Sequence, residues 1–170
     1  MSTMVLLDTS FLITLVNDQR PNHKTASRYF HHMFQNDVPI YLSAIAAAEF
    51  SVKQPVTDLP LNYLRILNFN LAHSQQAARL FNALESRDQG DSRVAVRDDV
   101  KLMAQASHEQ IGLILTEDAS TLYKYCERLR IAGQIQTRAI TLKDGFDAGV
   151  FNEDGHRSLE LSQPGGEADT

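Results

Sequence analysis

Met4-Val5-Leu6-Leu7-Asp8-Thr9-Ser10-Phe11-Leu12-Ile13 is a short apolar run that stops at a carboxylate and resumes with a different spacing. A continuous apolar run of this length reads as a strand buried on both faces. Phe11, Leu12, Leu15 and Val16 then fall on one helical stripe. Thr9 or Ser10 is the expected N-cap of that helix. Asp8 is left at the carboxyl end of the strand, the edge of an open α/β sheet where ligands bind.

Outward from this stretch, strands and helices alternate. Ala26, Tyr29, Phe30 and Met33 form a helical stripe within 22–36, and Ile40-Tyr41-Leu42 reads as a strand. Ser43 is an expected N-cap for an alanine-rich helix over 44–53, with Ile45, Ala48, Glu49 and Val52 as its inward stripe. Residues 54–60 hold two prolines and read as a loop, followed by a short helix over 61–67 and a strand over 66–71. Ser74 is expected to cap a helix running to about Ser86, and 87–93 reads as a polar loop. Val96 is expected to open a helix to about Gln110, with Asp98 and Asp99 in its first turn and Asp99, Leu102, Met103 and Ala106 facing inward. Leu113 to Thr116 is a second buried strand, and it too ends in acids, Glu117 and Asp118. A helix over 120–132 with Gly133 as C-cap, then a strand over 135–141, completes the pattern. This alternation implies a three-layer α/β/α fold with a mostly parallel central sheet.

Two buried strands thus end in carboxylates, Asp8 and Asp118. Two helices carry a carboxylate in an otherwise apolar stripe, Glu49 and Asp99. A lone buried carboxylate costs several kcal/mol unless it is paired or binds a cation, and no lysine or arginine lies in those stripes. The four acids are therefore expected to line one pocket and share a cation. All-oxygen ligands without histidine or cysteine suit Mg²⁺ or Mn²⁺. Such an ion on carboxylates is the chemistry of phosphodiester hydrolysis.

In order along the chain stand Asp8-Thr9-Ser10, then Ser43 with Glu49, then Asp99 with Ala104 and Ala106, then Thr116-Glu117-Asp118. This series resembles the PIN domain and, within it, the VapC-type toxin ribonucleases, over about residues 4–142. The resemblance implies a parallel sheet flanked by helices, a Mg²⁺ or Mn²⁺ site on Asp8, Glu49, Asp99 and Asp118, and cleavage of single-stranded RNA. It also implies a homodimer held in check by a small antitoxin. Thr9, Ser10, Asp98 and Thr116 are candidates to support the ligands or touch substrate. Asp98 beside Asp99 offers a second choice for the third ligand. Asp99 is preferred because it shares a face with the apolar residues, and Asp98 is expected to serve as an N-cap.

The totals agree with this reading. The chain of 170 residues is 43% hydrophobic, enough for one globular domain. The single cysteine, Cys126, lies in a core stripe and fits a reducing, cytoplasmic setting. No stretch suggests a signal peptide or a membrane span. The net charge of −5 is uneven: residues 1–143 carry 15 Lys+Arg against 14 Asp+Glu, while 144–170 carry one arginine against seven acids. The nuclease-like domain is therefore set at 1–144 and an acidic, flexible tail at 145–170. The six histidines show no metal-ligand spacing. Arg87, Arg93, Arg97 and Lys101 gather around the helix of the third acid, and Lys53 lies one turn beyond Glu49; any of them could hold a phosphate backbone, while Arg87 and Arg93 read first as part of a solvated loop. Two other readings stand beside the enzyme. One is a catalytically silent PIN-like module that binds RNA or protein. The other is an aspartyl-phosphate enzyme, which would need a second aspartate where Ser10 stands.

Overall fold

The structure is a computed structural model, and it describes residues 3–152. Its centre is β1 (Val5–Leu7), in which every residue is buried. β1 pairs in parallel with β2 (Ile40–Ser43) on one side and β4 (Leu113–Thr116) on the other. The outer strands are β3 (Arg65–Leu67) beside β2 and β5 (Arg138–Thr141) beside β4, again parallel. The five-stranded order is β3-β2-β1-β4-β5, so the expectation of a mostly parallel sheet holds for every pairing. A sheet whose central strands are wholly apolar needs cover on both faces. The helices supply it: α1 (Thr9–Val16), α2 (His23–Gln35), α3 (Ala44–Ser51), α4 (Leu71–Ala83), α5 (Arg93–His108) and α6 (Leu122–Ile131). Leu6, Leu7, Phe11, Tyr29, Phe50, Leu102, Met103 and Tyr125 are fully enclosed and form the centre of the core.

The chain runs β1 to β2 to β3 in one direction and then crosses back to β4 and β5. The switch point lies between β1 and β4, the position at which open α/β sheets form a crevice outside the carboxyl ends of their strands. Asp8 follows β1 and donates its backbone N–H to Leu115 O of β4 at 3.0 Å. The acids after β1 and after β4 are therefore neighbours because of strand order alone.

Local boundaries differ from the sequence expectation in instructive places. The N-cap of α1 is Asp8 itself, whose side chain accepts from Ser10 N, rather than Thr9 or Ser10. α3 turns Ala46 and Phe50 inward, while Ala48 and Glu49 are exposed and Val52 is 83% exposed. A short alanine-rich helix has too faint a stripe to fix its rotation. α4 starts at Leu71, ahead of the expected Ser74, because Asn70 and His73 form a reciprocal capping box. α5 starts at Arg93 under a Ser92 cap. Asp98 and Asp99 therefore lie in its second turn, and Asp98 is not an N-cap. The expected helix over 61–67 is a 3₁₀ turn at Leu61–Tyr63 that leads directly into β3. Gly133 ends α6 at φ +70, a left-handed position that glycine adopts without strain.

Past β5 the chain stays packed. A 3₁₀ turn at Ala148–Phe151 follows, Phe151 stacks on His32 of α2 at 4.8 Å, and Thr3 Oγ1 donates to Phe151 O at 3.0 Å. The acidic segment 153–170 lies outside the described residues. No helix among the described residues is long and apolar enough to cross a membrane.

Candidate active site

Asp8 is the most deeply placed acid of the crevice. Its Oδ2 accepts from Ser10 Oγ at 2.6 Å, from Thr116 Oγ1 at 2.8 Å and from Ser10 N at 3.3 Å. Burial raises its carboxyl above the ordinary range, and those hydrogen bonds oppose the rise only in part. Ser10 and Thr116 thus steady the carboxylate. Ser10 Oγ also accepts from Glu117 N at 2.8 Å, and Thr116 Oγ1 accepts from Asp118 N at 2.9 Å. The first turn of α1 and the turn after β4 are knit together around one carboxylate.

Asp118 is fixed differently. Its Oδ1 accepts from Ser120 N and Ser120 Oγ at 2.7 and 2.6 Å, and its Oδ2 accepts from Thr121 Oγ1 at 2.6 Å. Burial would push its carboxyl up, but these bonds outweigh burial and hold it below the usual range. Asp118 is thereby kept as an anion.

Asp99 projects from the second turn of α5 with its Oδ2 buried and without a hydrogen-bond partner. Burial pushes its carboxyl up to about 8, and the charges of Asp8, Asp118 and Glu49 push in the same direction. A nearby Thr121 hydroxyl offsets this only in part, because that hydroxyl already donates to Asp118. Glu49 comes from the exposed face of α3, yet Thr9 Oγ1 holds its Oε2 at 2.5 Å. Partial burial raises it, and the charges of Asp8 and Asp98 add to that. The four acids expected from sequence therefore share one electrostatic neighbourhood, with Thr9, Ser10 and Thr116 bonded directly to them. Asp98 pairs with Lys101 at 2.8 Å and adds its charge to the field at Glu49.

The acids border the crevice without closing into a tight cage. Among the described residues, the one group of three ligand-type side chains with donor atoms all within 4.8 Å of one another is His73, His108 and Glu109. The sequence spacing of the histidines gave no sign of this group, because the fold joins the start of α4 to the end of α5. The group is nevertheless committed elsewhere. His73 Nδ1 accepts from Asn70 N at 3.2 Å, so Nε2 carries the proton and donates to Glu109 Oε1 at 2.7 Å. Neither ring nitrogen of His73 has a lone pair left for a metal.

Several supporting residues carried no periodic signal in the sequence. Glu117 accepts from Thr14 Oγ1, Arg20 Nη2 and Asn22 Nδ2 at 2.5, 2.5 and 3.1 Å. It ties the turn that bears Asp118 to α1 and to the α1–α2 loop. Ser43 caps α3 through Ile45 N and donates to Gln105 Oε1 of α5 at 2.5 Å, linking the helices that bear Glu49 and Asp99. The loop before α5 is pinned to α6: Arg128 forks onto Asp88 at 3.0 Å on both nitrogens, and Lys124 holds Asp91 at 2.6 Å. Arg128 and Lys124 pull the Asp88 carboxyl down to about 2.

No curated protein sequence matches the chain. Solved structures do match it in fold. FitAcB from Neisseria gonorrhoeae is 16% identical, with a TM-score of 0.57 over 82% of this chain and 99% of the other. VapBC2 from Rickettsia felis, bound to a DNA fragment from its promoter, is 15% identical, with a TM-score of 0.56 over 81% and 98%. VapC20 from Mycobacterium tuberculosis, described as a sarcin-ricin loop cleaving toxin, is 16% identical, with a TM-score of 0.51 over 79% and 98%. The family profile described as PIN domain matches residues 5–128. That stretch contains the central strand and all four acids, and by it the chain belongs to the PIN domain family.

Proposed function

We propose that this protein is a Mg²⁺- or Mn²⁺-dependent endoribonuclease that hydrolyses single-stranded RNA, and that Asp8, Glu49, Asp99 and Asp118 hold the metal. The observation that carries the reading is Asp99 Oδ2, a buried carboxylate oxygen with no hydrogen-bond partner beside three further acids. A group left in this state costs free energy unless something positive binds there. The donor set is all oxygen, which suits a hard divalent ion. When bound, such an ion lowers the pKa of a coordinated water and offsets charge on the phosphoryl oxygens.

The side chains divide the remaining work. Asp8 is oriented by Ser10 and Thr116, and Asp118 is kept ionised by Ser120 and Thr121. Burial and the neighbouring acids favour the protonated form of Asp99, and a bound cation would favour its carboxylate. Glu49 is tethered by Thr9 and is the most exposed of the four acids. The toxin role, a small antitoxin partner and a homodimer follow from the resemblance to VapC-type proteins, and a cytoplasmic setting goes with an RNA substrate.

The test is cleavage of an end-labelled single-stranded RNA with Mg²⁺, with Mn²⁺ and with chelator. Metal-dependent cleavage by the wild type that is lost in Asp8→Asn and Asp99→Asn supports the proposal. RNA binding without cleavage under any of these metals would identify a silent binding module instead.

A further inference from the structure

A groove of about 320 Å³ runs between α4 and α5, outside the acid crevice. One wall is Arg93, Arg97 and Lys101, spaced i, i+4 and i+8 along α5. The other is α4, with Ala77, Ala78, Phe81 and Asn82. Among the described residues, neither arginine pairs with an acid. Two unpaired guanidinium groups and an ammonium on one side of a groove make a local positive potential in a body that is otherwise near neutral. Phe81 is 37% exposed, so part of a large aromatic side chain meets water along the α4 wall of the groove.

The groove leads to the crevice. Lys101, its last cation, bonds Asp98, and the charges of Asp98 and Lys101 both act on the Glu49 carboxyl. At the other end, Phe81 and Asn82 also line an adjoining hollow that contains Arg87. The cationic tract therefore continues from Arg87 past Phe81 to the acids. Residues four apart on a helix advance about 6 Å, a repeat that an extended sugar-phosphate backbone can follow phosphate by phosphate.

We propose that the α4–α5 groove is the binding lane that delivers single-stranded RNA to the acid crevice, with Arg93, Arg97 and Lys101 on successive phosphates and Phe81 as a stacking platform for a base. Cations along a groove with an interleaved aromatic face are what sequence-tolerant single-strand binding requires. A folded duplex would offer Phe81 no free base. The inference rests on the nuclease reading for its substrate and adds where that substrate lies.

The test is anisotropy of a labelled single-stranded RNA, titrated over a range of salt with Asp8→Asn protein. Metal-free wild type in chelator serves alongside, in case the variant folds poorly. Arg93→Gln with Arg97→Gln is expected to weaken binding and to reduce the slope of log K against log salt by about 1.4, at roughly 0.7 per lost phosphate contact. Phe81→Leu, which keeps the apolar bulk, is expected to lose about fivefold or more in affinity with no change of slope. Lys24→Gln with Arg28→Gln, on α2, is the control and should leave binding unchanged. Unchanged binding in the Arg93/Arg97 variant, a larger loss in the α2 control, or equal use of the lane by duplex DNA would each overturn the inference. The outcomes separate from the nuclease reading: metal-dependent cleavage can persist while the lane variants bind normally, and the lane can bind RNA in a protein that never cuts it.

Discussion

Ser10 and Thr116 lie 106 positions apart, yet their hydroxyl oxygens are 3.1 Å from each other and both donate to the same oxygen of Asp8. One comes from the first turn of α1 and the other from the end of β4. Parallel pairing of β1 with β4 brings them together, and the carboxylate between them is the reason both are polar.

Ser10→Ala should therefore be felt in stability as well as in activity. It removes the 2.6 Å bond to Asp8 and leaves Glu117 N–H without its acceptor. The expected loss is about 1–3 kcal/mol, read from urea denaturation. Wild-type stability in this variant would mean that water replaces the hydroxyl and that the site is wetter than described.

Asp98 and Asp99 should behave differently despite their adjacency. Asp99→Asn should abolish metal-dependent RNA cleavage while the protein stays folded. Asp98→Asn loses only the partly exposed pair with Lys101, about 0–1 kcal/mol, and should keep most of its activity. The measurement is the single-turnover cleavage rate of each variant beside its melting curve. Reversed phenotypes would give Asp98 the role assigned to Asp99.

The metal-free protein should lose stability as the pH rises from about 4 to about 8. Asp99 has its carboxyl raised from 3.8 to about 8 in the fold. Between those values the folded state keeps a proton that the unfolded chain has released, so increasing pH favours unfolding. The contribution is complete below about 4 and is lost as the pH passes through about 8. Asp8 and Glu49 shift in the same direction, whereas Asp118 is lowered and is already ionised throughout this range. Asp99→Asn should flatten the decline. Mg²⁺ or Mn²⁺ should raise the melting temperature most at the alkaline end, and less in Asp8→Asn, because an ion that binds only the folded state stabilises it. An equal rise in wild type and Asp8→Asn would place the binding elsewhere.

Deleting residues 153–170 should leave the fold intact and RNA cleavage unchanged or increased. The cut falls after Phe151, which packs on His32, and it removes five acids and one arginine that would repel or compete with a polyanion. Loss of soluble, cooperatively melting protein on this deletion would show that the segment belongs to the core.

The order of elements and the position of two acids were readable from the chain alone. An apolar run closed by a carboxylate occurs at Leu7-Asp8 and again at Leu115 to Asp118, and strands buried on both faces have one way to pack, under helices in a parallel sheet. Asp99 was readable because Leu102, Met103 and Ala106 set the rotation of a long helix. Glu49 was expected on the inward stripe, but its helix turns Ala46 and Phe50 inward, and the carboxylate bonds Thr9 from the exposed face. Only tertiary structure decided the rest. A capping box at Asn70 and His73 and a cap at Ser92 moved two helix starts, since competing polar residues within a few positions differ too little in capping strength to be ranked from sequence. The partners of Glu117, the Ser43–Gln105 link and the buried, unpartnered oxygen of Asp99 join residues far apart in the chain. Periodicity records which face of an element is buried, but not which element lies against it.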